Sequence, residues 1–290
     1  MKGILLAGGN GTRLWPSTSH INKQLLPVYD KPLIYYPLAT LMMAGVTDIL
    51  IIVNESHLSN FKKLLGDGSD WGIKLEFIVQ DKPKGIADAL IIAPEKYKND
   101  SCLLVLGDNL LYGMGLGMSL KSTFNGNGAL AFGYSVANPS DYGVVVLNSD
   151  GTPNKLIEKP KDFISNLAIP GIYFLDNTAF LKAKKLEPSF RNELEITDLL
   201  SLYLEEGSLL IKKLERGTVW LDTGSADNLL EAAEFVRLVE KRQGLKIACI
   251  EEVAFRENLI SLRQLKIIVS KMPNSNYKDY LEQLINEEFH

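Results

Sequence analysis

Short apolar runs alternate with amphipathic stretches along the first half of the chain. The runs end in Gly, Asn or Asp and several are rich in β-branched residues, as buried strands are, whereas the stretches between them show helical spacing. The predicted strands are Gly3–Ala7, Asp48–Val53, Leu75–Val79 and Cys102–Leu106, and the predicted helices are Leu33–Ala44, Leu58–Leu65 and Gly85–Ala93. This alternation predicts an α/β fold with a mostly parallel sheet flanked by helices.

The pattern changes after residue 129, where apolar runs follow one another across short turns. Runs at 129–136, 143–147, 155–160 and 171–175 predict an antiparallel addition to the sheet. Further helices are predicted at 177–185, 197–206 and 226–243, strands at 209–214 and 219–221, and two helical patterns in 259–289. We predict a core of residues 1–225 and a C-terminal helical segment, 226–290, that packs on the core or contacts another subunit.

The segment after the first strand has the features of a phosphate-binding loop. Gly8, Gly9 and Gly11 allow backbone N–H groups to approach a phosphate, and Arg13 and Lys23 add positive charge. A purely structural turn is the alternative. A dinucleotide-binding loop would have a third glycine where Arg13 stands, and a P-loop would have Gly-Lys-Ser/Thr. The two flanking cations favour a site for a triphosphate.

Two other predicted strands end in a carboxylate. Asp108 follows Cys102–Leu106, and Asp222 follows Val219–Leu221. Ligands of α/β sheets bind at the carboxyl ends of strands, so converging strands would give two oxygen ligands suited to a partly hydrated Mg²⁺. A simple turn at Asp108 and a helix N-cap at Asp222 are the structural alternatives.

A third strand ends in Glu158-Lys159-Pro160. The pair is either a solvated surface pair or a site in which Lys159 binds a second phosphate and Glu158 accepts hydrogen bonds from sugar hydroxyls. Gly143 and Tyr173 would line the same pocket, and the glycine would leave room for a sugar ring.

Composition excludes several classes of partner. A net charge of −4 gives no general attraction to nucleic acid or anionic membrane. Two cysteines within apolar runs and an N-terminal apolar run too short for a signal peptide predict a cytoplasmic protein with buried thiols. The scattered His20, His57 and His290 offer neither a metal cluster nor a catalytic triad.

The motifs together resemble those of the sugar-1-phosphate nucleotidylyltransferases. They are Leu-Ala-Gly-Gly-Asn-Gly-Thr-Arg-Leu, Asn-Lys-Gln-Leu-Leu-Pro-Val-Tyr-Asp-Lys-Pro, Leu-Gly-Asp-Asn, Glu-Lys-Pro and Val-Trp-Leu-Asp-Thr-Gly, in that order. The resemblance implies a Rossmann-like mixed sheet and Mg²⁺-dependent transfer of a nucleotidyl group from dTTP, with dUTP or UTP used less well, to glucose 1-phosphate. It also implies release of pyrophosphate, a place at the first step of dTDP-rhamnose synthesis, a homotetramer and a second site for a regulatory dTDP-sugar.

The resemblance also implies residue roles. On the nucleotide side, it assigns the triphosphate to Gly8, Gly11, Thr12 and Arg13, the α-phosphate region to Lys23, and the thymine and deoxyribose to Gln24, Gln80 and Gly85. The remaining assignments are Mg²⁺ to Asp108 and Asp222, glucose phosphate to Gly143, Glu158, Lys159 and Tyr173, and the regulatory site to Tyr112, Gly113 and Arg256.

Two positions depart from the family pattern. Asp88 stands where the family usually has Gln, and Met114 stands where it commonly has His. Asp88 would repel phosphate if it faced the site, and Met114 bears on the regulatory site.

The implied chemistry agrees with the residue types present. The attacking phosphate oxygen is already an anion, so catalysis needs charge screening and alignment rather than a general base. Arg13, Lys23 and Lys159 supply that charge. The competing hypotheses are uridylyl transfer, a sugar-nucleotide-binding regulator without turnover, and an NAD-dependent oxidoreductase suggested by the glycines alone.

Overall fold

The computed structural model describes residues 1–287. Its strands, in chain order, are β1 (Lys2–Ala7), β2 (Pro27–Val28), β3 (Lys31–Pro32), β4 (Asp48–Val53), β5 (Lys74–Val79), β6 (Cys102–Leu106), β7 (Asn109–Tyr112), β8 (Ala129–Ser135), β9 (Gly143–Leu147), β10 (Pro153–Glu158), β11 (Leu167–Ala168), β12 (Ile172–Leu175), β13 (Leu209–Lys213) and β14 (Val219–Asp222). Its α-helices are α1 (Tyr35–Met43), α2 (Leu58–Leu65), α3 (Asp88–Ile92), α4 (Glu95–Lys98), α5 (Leu116–Ser122), α6 (Ala179–Ala183), α7 (Ile196–Glu205), α8 (Ala226–Gln243), α9 (Ile250–Arg256), α10 (Leu262–Ser270) and α11 (Asn276–Glu287).

Strand β1 is central to a ten-stranded mixed sheet. It pairs in parallel with β4 on one side and β6 on the other, and β5 pairs in parallel with β4. The sheet continues from β6 through strands β12, β8, β11, β9 and β10, whose pairings are antiparallel. The predicted fold class is confirmed, although β13 joins the addition in parallel to β8.

Successive side chains of a strand point to opposite faces of the sheet, and both faces of the parallel strands are buried in a hydrophobic core. Leu5 and Ile51 belong to a core shared with α1, whereas Ile4, Leu50 and Ile52 belong to a core on the other face. This burial explains why these strands appear in the sequence as continuous apolar runs. The parallel pairing of Leu6 with Leu106 places the carboxyl ends of β1 and β6 at the same edge of the sheet.

A small antiparallel ribbon of β7 and β14 crosses this edge. Asp222 is paired with Asn109, and the N–H of Thr223 donates to the carbonyl of Asp108 at 3.1 Å. Asn109 fixes the ribbon because its side-chain oxygen accepts from the Trp220 indole at 2.6 Å and from the Gly171 N–H at 2.9 Å. The ribbon therefore brings the ends of two distant strands together.

The C-terminal helices pack on the rest of the chain. Ser225, rather than Asp222, caps α8 by accepting from the Asn228 N–H at 3.2 Å. Helix α8 packs on β2 and β14, and α9, which the hydrophobic pattern did not predict, packs on α1. None of the helices within residues 1–287 has the length and hydropathy of a membrane span. The end of the predicted helical segment, 288–290, which includes His290, lies outside the described residues.

Candidate active site

A cavity of about 440 Å³ opens at the carboxyl edge of β1 and β6. It gathers residues that are far apart in the chain, from the glycine loop, the ends of β6, β10 and β14, and the segment before α7. Of the predicted site residues, its walls contain Gly11, Thr12, Arg13, Lys23, Gln24, Gln80, Gly85, Asp108, Gly143, Glu158, Lys159, Tyr173 and Asp222. Gly8 is buried behind this wall.

Lys23 is held at the centre of the cavity by the short turn that carries it. The Asn22 side chain donates to the carbonyl of Ala7 at 3.3 Å and accepts from the Gln24 N–H at 2.9 Å, so it ties this turn to the end of β1. Lys23 is only 6% exposed, and its Nζ donates to Asp108 Oδ2 at 2.7 Å. Asn22 is a positioning residue that sequence reasoning did not assign, although it lies within the recognised motif.

The two carboxylates differ in their electrostatic environment. Burial raises the pKa of Asp108, but the Lys23 ammonium outweighs this effect and lowers the pKa below its ordinary value. Burial and the neighbouring Asp108 carboxylate raise the pKa of Asp222 to about 6, against the opposing charges of Lys23 and Arg13. Two like charges share this corner of the cavity, which is an arrangement that a bound cation would stabilise.

The cavity wall also carries two buried amides. Gln24 Oε1 is buried without a hydrogen-bond partner among the described residues. Gln80 is 5% exposed, and its Nε2 donates to Asp88 Oδ2 at 2.7 Å. Asp88 therefore lies behind Gln80 and does not line the cavity, so the predicted repulsion of phosphate does not arise.

Gly85 lets two backbone segments meet beside this wall. Its φ is +100°, and a Cβ there would lie 2.4 Å from the Leu194 carbonyl oxygen. The Leu194 N–H donates to Lys84 O at 2.7 Å, and the Ala87 N–H donates to Leu194 O at 3.1 Å. A larger residue at position 85 would separate these segments.

The far end of the cavity is organised by Arg191, which sequence reasoning missed. Its guanidinium donates to Glu195 at 2.6 Å and to Glu158 Oε1 at 3.1 Å. Thr197 also donates to Glu158, at 3.3 Å. Burial and the Glu195 carboxylate raise the pKa of Glu158, while Arg191 and Lys159 oppose the shift. The Arg191 segment is polar and has no periodic pattern, so its position could not be predicted from the sequence.

Lys159 adopts an uncommon backbone conformation at this end. Its φ is +42°, and its N–H donates to the carbonyl of Tyr142 at 3.1 Å. Such a conformation costs on the order of 1 kcal/mol in a non-glycine residue. Gly143, across the ladder from Glu158, has no space for a side chain, since a Cβ would lie 2.8 Å from Thr197 Cγ2. The local backbone therefore sets the position of Lys159 at the cavity wall.

A second cavity, of about 650 Å³, lies between α9 and the β7–α5 connection. Its walls contain Tyr112, Gly113 and Arg256, the residues predicted for a regulatory site, and Met114 is fully exposed outside them. These three residues line one cavity in the structure, and regulation by a ligand bound there stays a prediction.

Comparison with known proteins identifies the class. A model of the nucleotidyl transferase family matches residues 2–238, so the chain belongs to that family. It is 50% identical to a Mycolicibacterium smegmatis protein named glucose-1-phosphate thymidylyltransferase, over 99% of this chain and all of the relative. A Neisseria meningitidis protein of the same name is 49% identical over equal shares. The family predicted from the motifs is confirmed.

Solved structures agree with this assignment. A Bacillus anthracis crystal structure with sucrose, assigned provisionally as a glucose-1-phosphate thymidylyltransferase, gives a TM-score of 0.75 at 37% identity, covering 82% of this chain and 95% of that one. A UDP-glucose pyrophosphorylase complexed with UDP-glucose gives 0.71 at 25% identity, covering 83% and 99%.

Proposed function

We propose that the protein transfers a thymidylyl group from dTTP to α-D-glucose 1-phosphate, giving dTDP-glucose and pyrophosphate. One observation carries the proposal: Arg13, Lys23 and Lys159 converge with two carboxylates in one cavity of a nucleotidyl transferase. The names of relatives at about 50% identity support the choice of substrates. The product would be the precursor for dTDP-rhamnose and related deoxysugars.

The nucleotide would occupy the part of the cavity nearest β1. Its triphosphate would contact the backbone of Gly8, Gly11 and Thr12 and the side chains of Arg13 and Lys23, because unpaired N–H groups and fixed cations bind phosphate. The base and deoxyribose would face Gln24, Gln80 and Gly85, where both amides offer polar atoms. This part of the cavity therefore has cationic residues at one end and uncharged polar residues at the other, which matches the charged triphosphate and the neutral base of a nucleotide.

The sugar phosphate would occupy the opposite end. Lys159 would bind its phosphate, and Glu158, held by Arg191 and Thr197, would accept hydrogen bonds from hydroxyls of the ring. Gly143 lets Glu158 and Thr197 approach its backbone closely, and both Gly143 and Tyr173 form part of the cavity wall. These hydroxyls would add donors to a carboxylate whose pKa is raised by burial and by the neighbouring Glu195.

Asp108 and Asp222 would hold Mg²⁺. Their oxygen donors suit that ion, and a cation would stabilise the ionised Asp222 against the burial and the Asp108 charge that raise its pKa. Residues 1–287 contain no group of three or more His, Cys, Asp or Glu side chains placed to bind a metal, so water and phosphate oxygens would complete the coordination. The ion would neutralise charge on the reacting phosphates.

The residues present can align two anions and screen their repulsion. Arg13 is exposed at the cavity and free to meet a phosphate, whereas Lys23 lies deeper, beside Asp108. A phosphate oxygen of glucose 1-phosphate attacks the α-phosphorus, the bond to pyrophosphate breaks, and charge passes to the leaving group. Positioned cations lower the barrier to this step without a proton transfer.

A coupled assay of pyrophosphate release tests the proposal. The purified protein with dTTP, glucose 1-phosphate and Mg²⁺ should release one pyrophosphate for each dTDP-glucose formed. UTP and dUTP lack the C5 methyl group and should react more slowly than dTTP. They should still react measurably, because a pocket distinguishes one methyl group by only about 1–3 kcal/mol. A faster reaction with UTP would favour uridylyl transfer. Tight binding of dTDP-glucose without turnover would favour a regulator, and turnover only with NAD would favour an oxidoreductase.

Assembly and location form the finer part of the proposal. Exposed apolar residues on α8, including Leu230 and Leu238, support a role of the 226–290 segment in a homotetramer. The cavity with Arg256 would then bind a regulatory dTDP-sugar near a subunit contact. A substrate such as dTTP, which cannot cross membranes, supports a cytoplasmic location. Sedimentation with and without dTDP-rhamnose tests the assembly and its ligand.

A further inference from the structure

Two buried charges that the proposed reaction does not use lie behind the turn that carries Lys23. Lys31, in β3, is 3% exposed, and Glu240, in the last turn of α8, is 7% exposed. Lys31 Nζ donates to Glu240 Oε1 at 2.9 Å. A carboxylate near the C-terminal end of a helix meets the negative end of the helix dipole, and burial adds to that penalty. The Glu240 carboxylate therefore depends on donors from outside its own helix.

Two further charged side chains complete the group of Asp30, Lys31, Glu240 and Lys246, here called the charge network. Asp30 Oδ1 lies 2.5 Å from Lys31 Nζ. Lys246 donates to Asp30 and, at 3.3 Å, to Glu240 Oε2. The Ile247 N–H donates to Glu240 Oε1 at 2.9 Å. The charge network therefore joins the β2–β3 hairpin, the end of α8 and the chain beyond α8 by directional contacts.

The β2–β3 hairpin is bonded in turn to the Lys23–Leu25 turn through the main chain. The Ile34 N–H donates to the carbonyl of Gln24 at 2.9 Å, and the Leu33 N–H donates to the carbonyl of Leu26 at 2.9 Å. Both donors follow β3 directly, and both acceptors lie in or next to the turn. A shift of the hairpin along α8 would therefore move the turn with it.

The apolar contacts between the hairpin and α8 do not fix this position by themselves. Val28 and Tyr36 belong to the same small core as Val236 of α8. Apolar burial is non-directional, so it favours contact without selecting one register between hairpin and helix. Buried ion pairs add little net stability, but they can set a register. The charge network supplies the directional contacts that the small core lacks.

We infer that Lys31 and Glu240 are positioning residues that hold Lys23 in place in the active site by fixing the hairpin against α8. The inference rests on the proposed function for the identity of the reaction. Lys23 Nζ is held 2.7 Å from Asp108, and a displacement of about 1 Å in a group that aligns the reacting phosphate is enough to slow turnover. The sugar end of the cavity is built from other elements, so its affinity should be spared.

The variant Lys31→Met tests the inference because methionine nearly keeps the length of the side chain and removes its charge. We expect kcat to fall about tenfold or more, while the KM for glucose 1-phosphate stays within about twofold. Lys182→Met is the matched control. Lys182 is also buried, lies 4.5 Å from the Tyr203 ring centre and pairs with Glu206 at 3.0 Å, but it does not line the cavity. Its kcat should stay within about twofold of the parent.

The double variant Lys31→Met with Glu240→Gln separates positioning from stability. Lys31→Met alone leaves the buried Glu240 carboxylate with one cation fewer, so the melting temperature should fall. Glutamine at position 240 removes that charge and still accepts from the Ile247 N–H, so the melting temperature should return toward that of the parent. We expect kcat to stay about tenfold low, because the directional contact is still missing. Recovery of kcat together with stability would show a merely structural role and overturn the inference.

Hydrogen exchange at the Leu33 and Ile34 amides gives a measurement that does not depend on activity. In the double variant, which should fold even if Lys31→Met does not, both amides should exchange at least about tenfold faster than in the parent, relative to the amides of β4. Lys182→Met should leave this ratio unchanged. An unchanged ratio in the double variant overturns the inference. Absence of dTDP-glucose formation by the parent contradicts the proposed reaction instead, so the two failures are distinguishable.

Discussion

The two ends of the active-site cavity use positive charge in different ways. On the nucleotide side, Arg13 is exposed and forms no ion pair among residues 1–287, so it is free for a ligand. On the sugar side, Arg191 is engaged by Glu158, Glu193 and Glu195. In the proposed reaction, the first cation would neutralise a phosphate, whereas the second would hold carboxylates in place for the hydroxyl groups of the sugar. Substitutions at the two ends should therefore change different kinetic constants.

Removal of Arg13 should have the largest effect. We expect Arg13→Ala to lower kcat by a factor on the order of 10²–10³, because one charge partner of the transition state is lost. Steady-state pyrophosphate release measures the change, and Arg242→Ala, at the exposed end of α8, is the matched control. Turnover within threefold of the parent would remove Arg13 from its assigned role.

The carboxylates between the two ends should control the response to magnesium. Asp108→Asn and Asp222→Asn should each raise the Mg²⁺ concentration for half-maximal rate by about 10–100-fold, since each removes one charged ligand. A titration of rate against Mg²⁺ at saturating substrates measures this effect. An unchanged midpoint in both variants would contradict the two-carboxylate site.

Arg191 should affect one substrate only. Arg191→Ala should raise the KM for glucose 1-phosphate about tenfold, because Glu158 loses the donor that orients it. The KM for dTTP should stay within about twofold. Arg191→Lys keeps the charge but not the planar fork, so it should give an intermediate value. Equal changes in both KM values would show that the two ends are not separable.

The last expected effect is on stability rather than on rate, and it has the opposite sign. The pKa of Asp222 is raised to about 6 in the fold, so its ionisation destabilises the protein as pH rises from about 4 to above 6. Asp222→Asn should therefore raise the free energy of unfolding by about 1–3 kcal/mol at pH 7.5 without Mg²⁺. Thermal melts at pH 7.5 and pH 4.5 measure it, and the difference should shrink at the lower pH. A variant less stable than the parent at pH 7.5 would be inconsistent with this account.

The two ends of the cavity also differ in how well the sequence predicts them. The strands beneath the nucleotide side, such as Asp48–Val53 and Cys102–Leu106, have the predicted bounds because both of their faces are buried. Gly11, Arg13 and Lys23 occur in one short segment, and the carboxyl ends of parallel strands share an edge, so their convergence followed from pattern and topology.

Arg191 could not be found in this way. It lies in a polar segment without periodicity, and its position depends on the Leu194 contact with Gly85, which only the folded chain shows. The uncommon backbone of Lys159 and the hidden position of Asp88 likewise depend on tertiary contacts. Asn109 was visible within the Leu-Gly-Asp-Asn motif, but its bonds to Trp220 and Gly171 required the β7–β14 ribbon.

The backbone contact at Leu194 has a thermodynamic consequence. Leu194 is hydrogen-bonded to Lys84 and Ala87, on either side of Gly85, and it follows closely after Arg191 at the other end of the cavity. A displacement of either segment would shift the other, so we expect binding of one substrate to change the affinity for the second. By linkage, any factor by which one bound substrate tightens the other must act equally in reverse. Because the contact uses only main-chain atoms, we expect any such coupling to be independent of the side chain at position 194.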